Sequence, residues 1–146
     1  SPYRCATKLA MLYDRWQPAP LLDPTGSILG ASSVTILALG GDARELSLTG
    51  LPAGYVLSAG DYLAFSYGSL RALHKVVPIT VTANGAGQTP LFEVLPEVRP
   101  GAVAGAAVSL KKASCKAVAV AGSVEEALRG HSLSEGMAFD WVQSLR

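Results

Sequence analysis

The sequence has no excess of charge of one sign. Lysine and arginine number 12 against 11 aspartates and glutamates, so the formal net charge is +1. The longest basic run is the pair Lys111–Lys112, whereas nucleic-acid-binding proteins usually carry a basic stripe or patch. The composition therefore favours neither a nucleic acid nor an anionic membrane surface as the partner.

Cysteines and long apolar runs are also scarce. The two cysteines, Cys5 and Cys115, are too few for the disulfide framework of a small secreted domain, which uses a larger even set. They are interpreted as two thiols, although one long-range bridge between them is compatible with the sequence. Hydrophobic residues make up 49% of the chain, yet no run approaches the roughly 18 apolar residues of a membrane span. The sequence therefore predicts no membrane insertion.

Turn-forming residues, in contrast, are abundant. Fifteen glycines and nine prolines separate short runs rich in β-branched, aliphatic and aromatic residues, a spacing typical of a sandwich or barrel. Only Ser123–Arg129 has helical character, with Ser123 as a cap and Gly130 past the end. The sequence therefore predicts a mainly β fold: a β-sandwich or barrel with a small β-rich inserted lobe and at most one short helix. The predicted strands are Lys8–Tyr13, Ser33–Leu39, Glu45–Thr49, Tyr62–Tyr67, Leu70–Val77, Ile79–Ala83, Leu91–Leu95, Ala106–Lys111, Cys115–Ala121 and Gly136–Leu145.

Hairpin signals are densest between residues 30 and 111. Gly68–Ser69 is a plausible two-residue turn between two of the strands, and Asn84–Gly85 tolerates the positive φ that tight hairpin turns demand. We predict that Asn84–Gly85 forms the tip of a hairpin joining Ile79–Ala83 to Leu91–Leu95. Residues 30–111 are interpreted as an inserted small β-barrel lobe, carried between the flanking segments 1–29 and 112–146.

The sequence contains no complete catalytic or metal-binding constellation. His74 and His131 lack ligand spacing, and His74 alternates with apolar residues, so we predict a satisfied buried or interfacial histidine. Ser69 lies outside any Gly-x-Ser-x-Gly context and is interpreted as a turn residue. The carboxylates that could perform acid–base chemistry are interpreted as surface groups: Asp61, Glu93, Glu97 and Asp140. We therefore predict that the protein is not an enzyme, with no catalytic, cofactor-binding or metal-binding residue and no cofactor.

Several motifs, taken in order, resemble a run found in distal or minor tail proteins of long-tailed bacteriophages. The motifs are Leu57–Tyr62, Leu73–Val77, Asn84–Gly87 and Leu95–Pro100. In that family an Ala-Gly-Asp entry leads to Leu-His-x-Val, a glycine-containing turn and a Pro-x-Leu-Arg exit. The exit here has Val98 where leucine is commoner. The opening Leu9–Asp14 and the ending Gly136–Leu145 are similar to the strands that flank the insertion in that family.

The resemblance implies a structural role. Proteins of this family form a ring that joins the tail tube to the tip or baseplate, so the implied partners are copies of this chain in a ring oligomer and other phage tail proteins. The implied location is the virion tail, after assembly in the host cytoplasm. Residues 1–29 and 112–146 would be tail-ring core elements, and family members are longer at the N-terminus, a part that this chain is expected to lack. No catalytic residue carries over.

Two features suggest where such contacts form. The predicted C-terminal strand places Met137, Phe139 and Trp141 on one apolar face, which we expect to lie at an interface. Arg44 is the only basic residue from Ser32 to Ser69, so strand edges in that part are expected to have little protection against pairing with another chain.

An alternative function is a small β-module that binds carbohydrate on a host surface. Aromatic side chains can stack on sugar rings, although aromatic residues in strands more often belong to the core. The residues that would form such a surface are Trp16, Tyr55, Tyr62, Tyr67 and Trp141.

Overall fold

The computed structural model describes residues 23–121, 128–129, 134–135 and 140–144. Across these residues the chain forms strands and turns and has no helix. The strands in chain order are β1 (Val34–Leu39), β2 (Glu45–Thr49), β3 (Val56–Ser58), β4 (Tyr62–Tyr67), β5 (Leu70–Val76), β6 (Thr80–Thr82), β7 (Phe92–Leu95), β8 (Ala107–Ser109), β9 (Ala117–Ala119), β10 (Leu128–Arg129), β11 (Ser134–Glu135) and β12 (Trp141–Gln143). The predicted mainly β fold is confirmed.

Six of the strands close into an antiparallel barrel. Their order around the barrel is β1-β2-β7-β5-β4-β8, and β8 pairs with β1 to complete the ring. All six lie between residues 34 and 109. Because every barrel strand has a neighbour on both sides, closure removes the unprotected edges that the scarcity of basic residues before Ser69 had suggested. That expectation is wrong for the barrel strands.

The barrel interior is filled by alternate residues of each strand. On β4, Leu63 and Phe65 are fully buried inside the barrel, and β2 contributes Leu46 and Leu48. Full burial of each such side chain contributes about 1.5–3 kcal/mol relative to exposure. The intervening residue Ala64 is buried on the outer face instead, which shows that this face is covered as well.

The cover over β4 and β5 comes from the segment that follows β8. Ala113 and half-buried Cys115 pack on Leu73 and Ala64. The Arg71 guanidinium, on β5, holds this segment in place through its Nε, which donates a 3.2 Å hydrogen bond to the carbonyl of Ser114. Cys5, the other cysteine, lies outside the described residues.

A turn around a buried aspartate closes the other flank of the barrel. The predicted turn at Asp23–Gly26 is confirmed, with Gly26 at φ 83°. The Asp23 carboxylate accepts backbone hydrogen bonds from Thr25, Ser27 and Val56. Burial raises the pKa of Asp23, but these hydrogen bonds together with that of the Thr25 hydroxyl outweigh it and hold the pKa below its ordinary value. The turn is thereby anchored to β3.

The predicted hairpin at Asn84–Gly85 is wrong in its pairing. β6 pairs with β3, and β7 pairs with β5 and β2, so the turn does not join two paired strands. The turn itself is present, because the Gly87 amide donates to the Asn84 carbonyl. The Asn84 side chain accepts from the amides of Ala86 and Gln88. Gly87, at φ 73°, adopts the left-handed conformation that we had predicted for Gly85.

The C-terminal part contains two small ribbons. β9 pairs with β12, and β10 pairs with β11. The helix predicted at Ser123–Arg129 is wrong at its end, because Leu128–Arg129 form β10, and residues 123–127 lie outside the described residues. The predicted strand Lys8–Tyr13 lies outside them too. The predicted terminal strand is confirmed at Trp141–Gln143.

Candidate interaction surface

His74 is enclosed in the barrel and is inaccessible to a substrate. It is 1% exposed and stacks on Phe65 with ring centroids 4.8 Å apart. Its Nδ1 lies 2.8 Å from the carbonyl oxygen of Pro96. Because a carbonyl only accepts, Nδ1 carries the proton, and Nε2 is left without a hydrogen-bond partner among the described residues. Burial lowers the pKa of His74. The prediction of a buried histidine is confirmed, but only one ring nitrogen is satisfied.

The carboxylates that were considered for acid–base chemistry have structural partners. Asp61 Oδ2 accepts a hydrogen bond from the Ser58 amide and fixes the entry into β4. Glu97 binds Arg44 at 3.2 Å, and Glu93 lies 4.0 Å from the same guanidinium. Within the described ranges no three His, Cys, Asp or Glu side chains are grouped to hold a metal ion. In the same ranges, no helix has the length and apolar character that crossing a bilayer requires.

The outer face of β5 and β7 carries a line of exposed aliphatic side chains, which we call the aliphatic strip. Its members and their exposed fractions are Val77 (37%), Ile79 (84%), Leu91 (50%) and Leu95 (40%). Lys75 pairs with Leu95, and the Val77 amide donates to the Glu93 carbonyl. Continuing this antiparallel register places Ile79 opposite Leu91. The four side chains therefore lie together, outside a barrel that has its own complete core.

A cleft of about 730 Å³ adjoins the strip. One wall is the turn between β1 and β2, residues 39–45, and the other is the segment 95–102 that follows β7. Leu39, Leu95 and Val98 give the cleft an apolar lining, and Leu95 also belongs to the strip. The cleft is open to solvent, so it can receive a protruding element of another molecule.

The β9–β12 ribbon, which we call the C-terminal ribbon, has one exposed apolar face. Val118 and Val142 are directly opposite each other across the two strands and are 60% and 39% exposed. The predicted contact face of Met137, Phe139 and Trp141 overlaps this region. Met137 and Phe139 lie outside the described residues, and Trp141 is the first residue of β12.

The aromatic residues considered for sugar stacking do not form a surface in the described part of the chain. Tyr55 and Tyr67 are buried in the barrel core. Tyr62 is half-buried against the cluster under Ala113. Trp16 lies outside the described residues.

Sequence reasoning missed the aliphatic strip, although a signal was present. In the run Leu91–Leu95, the apolar residues Phe92 and Val94 occupy one parity, but Leu91 and Leu95 occupy the other. A strand at a surface normally alternates apolar and polar residues. Apolar residues on both faces therefore indicate a second buried face, inside or outside the molecule.

No family model, no curated protein and no solved structure matches this chain.

Proposed function

We propose that this protein is a non-catalytic structural subunit that assembles through its surfaces, as a component of the ring at the tip of a phage tail. The observation that carries the proposal is the aliphatic strip. The barrel is closed and filled without these four side chains, so no internal packing requirement accounts for them. Contiguous exposed apolar side chains mark protein–protein contact sites.

The size of the effect fits a reversible contact. Moving one aliphatic side chain from full exposure to full burial contributes roughly 1.5–3 kcal/mol. The strip residues are already partly covered, so burying all four contributes on the order of several kcal/mol. Part of this gain offsets the loss of translational and rotational freedom on association. A single strip therefore supports a concentration-dependent assembly, and a ring gains from forming such a contact at each subunit.

The motif order that resembles the distal or minor tail proteins specifies the kind of assembly. The partners that follow are further copies of this chain and other components of the tail. The lack of an aromatic surface among Tyr55, Tyr62 and Tyr67 removes the support for carbohydrate stacking that these three residues would have supplied.

Light scattering across a concentration series tests this function. We expect the mass of the wild-type chain to rise with concentration, and ring-shaped particles in negative stain. The double variant Ile79→Ser/Leu91→Ser should require a higher concentration for the same mass, because it removes the two most exposed members of the strip. Val103→Ser is the matched control, since Val103 is 61% exposed and lies outside the strip. A wild-type chain that stays monomeric would overturn the proposal.

A further inference from the structure

We propose that subunits associate head to tail, with the C-terminal ribbon of one copy seated in the cleft of the next. This inference rests on the assembly function proposed above and names the two surfaces that meet. It assigns the cleft one occupant, a second copy of this chain.

The barrel order places the two surfaces on opposite sides of the molecule. β2 and β4 are three places apart in the six-strand ring, so they face each other across the barrel. The cleft is built on the turn that enters β2. The segment leading to the ribbon lies on the outer face of β4 and β5, held there by Arg71 and by the packing of Ala113. One copy can therefore use both surfaces at once.

The cleft combines an apolar lining with an acidic rim. Its apolar residues are Leu39, Leu95 and Val98. Asp42, Glu45 and Glu97 line the same cleft, against one lining cation, Arg99. Arg44 lies beside the rim and its charge is engaged by Glu97 and Glu93. The cleft thus favours an apolar element that carries a positive charge.

The C-terminal ribbon has this character. Side chains alternate along a strand, so Lys116 lies on the same face of β9 as Val118, and both are exposed. Val142 lies opposite Val118. Lys112 is exposed in the turn before the ribbon, where it adopts φ 52°. The apolar pair can be buried against the cleft lining while the lysines meet its acidic rim.

Charge and geometry together favour a head-to-tail contact over a two-fold one. Pairing the same surface of two copies would place the acidic rim against itself, and like charges in contact oppose association. A contact between two different, opposite surfaces repeats from copy to copy. It closes into a ring when the rotation between copies allows it. This is the geometry that a ring component of a tail tip requires.

Charge reversal on each surface, measured by sedimentation velocity, tests the contact. Glu97→Lys reverses the cleft rim and Lys116→Glu reverses the ribbon. Each variant alone should raise the dissociation constant of self-association by about tenfold or more, because close charge pairs at interfaces couple strongly. An equal mixture should associate again to within about threefold of wild type, because each reversed surface then meets a reversed partner and each native surface a native one.

The controls and outcomes separate this inference from the function it rests on. Thr80→Lys/Thr82→Lys and Thr80→Glu/Thr82→Glu change the net charge equally on exposed positions of β6 and should leave association unchanged. Asp42→Lys replaces Glu97→Lys if that variant does not fold by circular dichroism. If the wild type associates but the reversal variants associate equally well, or the mixture does not recover, the head-to-tail contact is wrong and the assembly function stands. A monomeric wild type overturns both.

Discussion

At the scale of single residues, His74 shows how an ionisable side chain serves a core. It lies on β5 beside Ala72 and Val76, where its ring fills the barrel and stacks on Phe65. The hydrogen bond from Nδ1 to Pro96 ties the segment after β7 to the barrel wall. Protonation of Nε2 would bury a charge that has no partner, so burial lowers the pKa of His74.

This lowered pKa predicts a pH dependence of stability. The unfolded chain binds a proton at His74 near the ordinary pKa of 6.5, whereas the folded chain binds it only at lower pH. The contribution of neutral His74 is therefore fully present above pH 6.5 and is lost as the pH falls toward the folded pKa. The loss is at most about 1.4 kcal/mol per pH unit.

Urea unfolding at pH 7.5 and pH 5.5 measures this dependence. The wild type should have the lower urea midpoint at pH 5.5, and His74→Leu should lose most of that difference. The variant retains His131 and all carboxylates, so it is the control for every other titrating group. An equal fall in the midpoint of both proteins would show that His74 is not the cause.

At the scale of elements, the turn 84–87 separates what a motif determines locally from what it pairs. The Asn84 side chain fixes the turn through two backbone hydrogen bonds within four residues. The turn then packs against the loop after β2, where the Leu51 amide donates to the Gly87 carbonyl. The strands on either side find different partners because β6 extends the ribbon with β3, while β7 completes the barrel.

The two glycines of this turn should therefore differ in their tolerance of a side chain. A Cβ on Gly87 would lie 2.0 Å from the carbonyl oxygen of Leu51, at a φ of 73° that L-residues rarely adopt. We expect Gly87→Ala to lower the free energy of unfolding by about 1–3 kcal/mol from backbone strain, with the clash in addition. Gly85 has no atom within 4 Å of its Cβ position.

The matched control is Gly85→Ala, which should change the free energy of unfolding by less than about 0.5 kcal/mol. Chemical denaturation of the two variants beside the wild type provides the measurement. Equal destabilisation by both substitutions would mean that the left-handed residue of the turn has been misplaced.

At the scale of the whole molecule, the barrel depends on residues before its first strand and after its last. Leu29 is buried in the barrel core, and Asp23 anchors its turn to Val56. Ala113 covers the outer face of β4 and β5. The predicted lobe of residues 30–111 therefore omits contacts at both of its ends.

A fragment of residues 23–116 should fold on its own and unfold cooperatively in a thermal melt. A fragment of residues 31–109 retains all six barrel strands but lacks Leu29, Asp23 and Ala113. Removing a buried leucine side chain alone costs about 2–5 kcal/mol, so the shorter fragment should melt at a markedly lower temperature or fail to fold. Identical melting of the two fragments would show that the flanking contacts are not needed.

The sequence by itself determined most of the local structure. The bounds of β2 and β4 follow from their apolar residues and from the glycines beside them, and the turns at Asp23 and Asn84 follow from side-chain hydrogen bonds that span only a few residues. The burial of His74 follows from its place in an alternating apolar run. These features depend on neighbours in the chain, which the sequence displays directly.

Only the tertiary structure decided which strands pair and which apolar residues remain outside. A strand such as β7 has the same apolar pattern whichever neighbour it meets, so its pairing with β2 and β5 depends on closing the whole ring. The exposure of Ile79 and Leu91 depends on that closure too, because a filled barrel has no room for them. Contacts between residues distant in the chain are fixed by the packing of all strands together, which no local pattern contains.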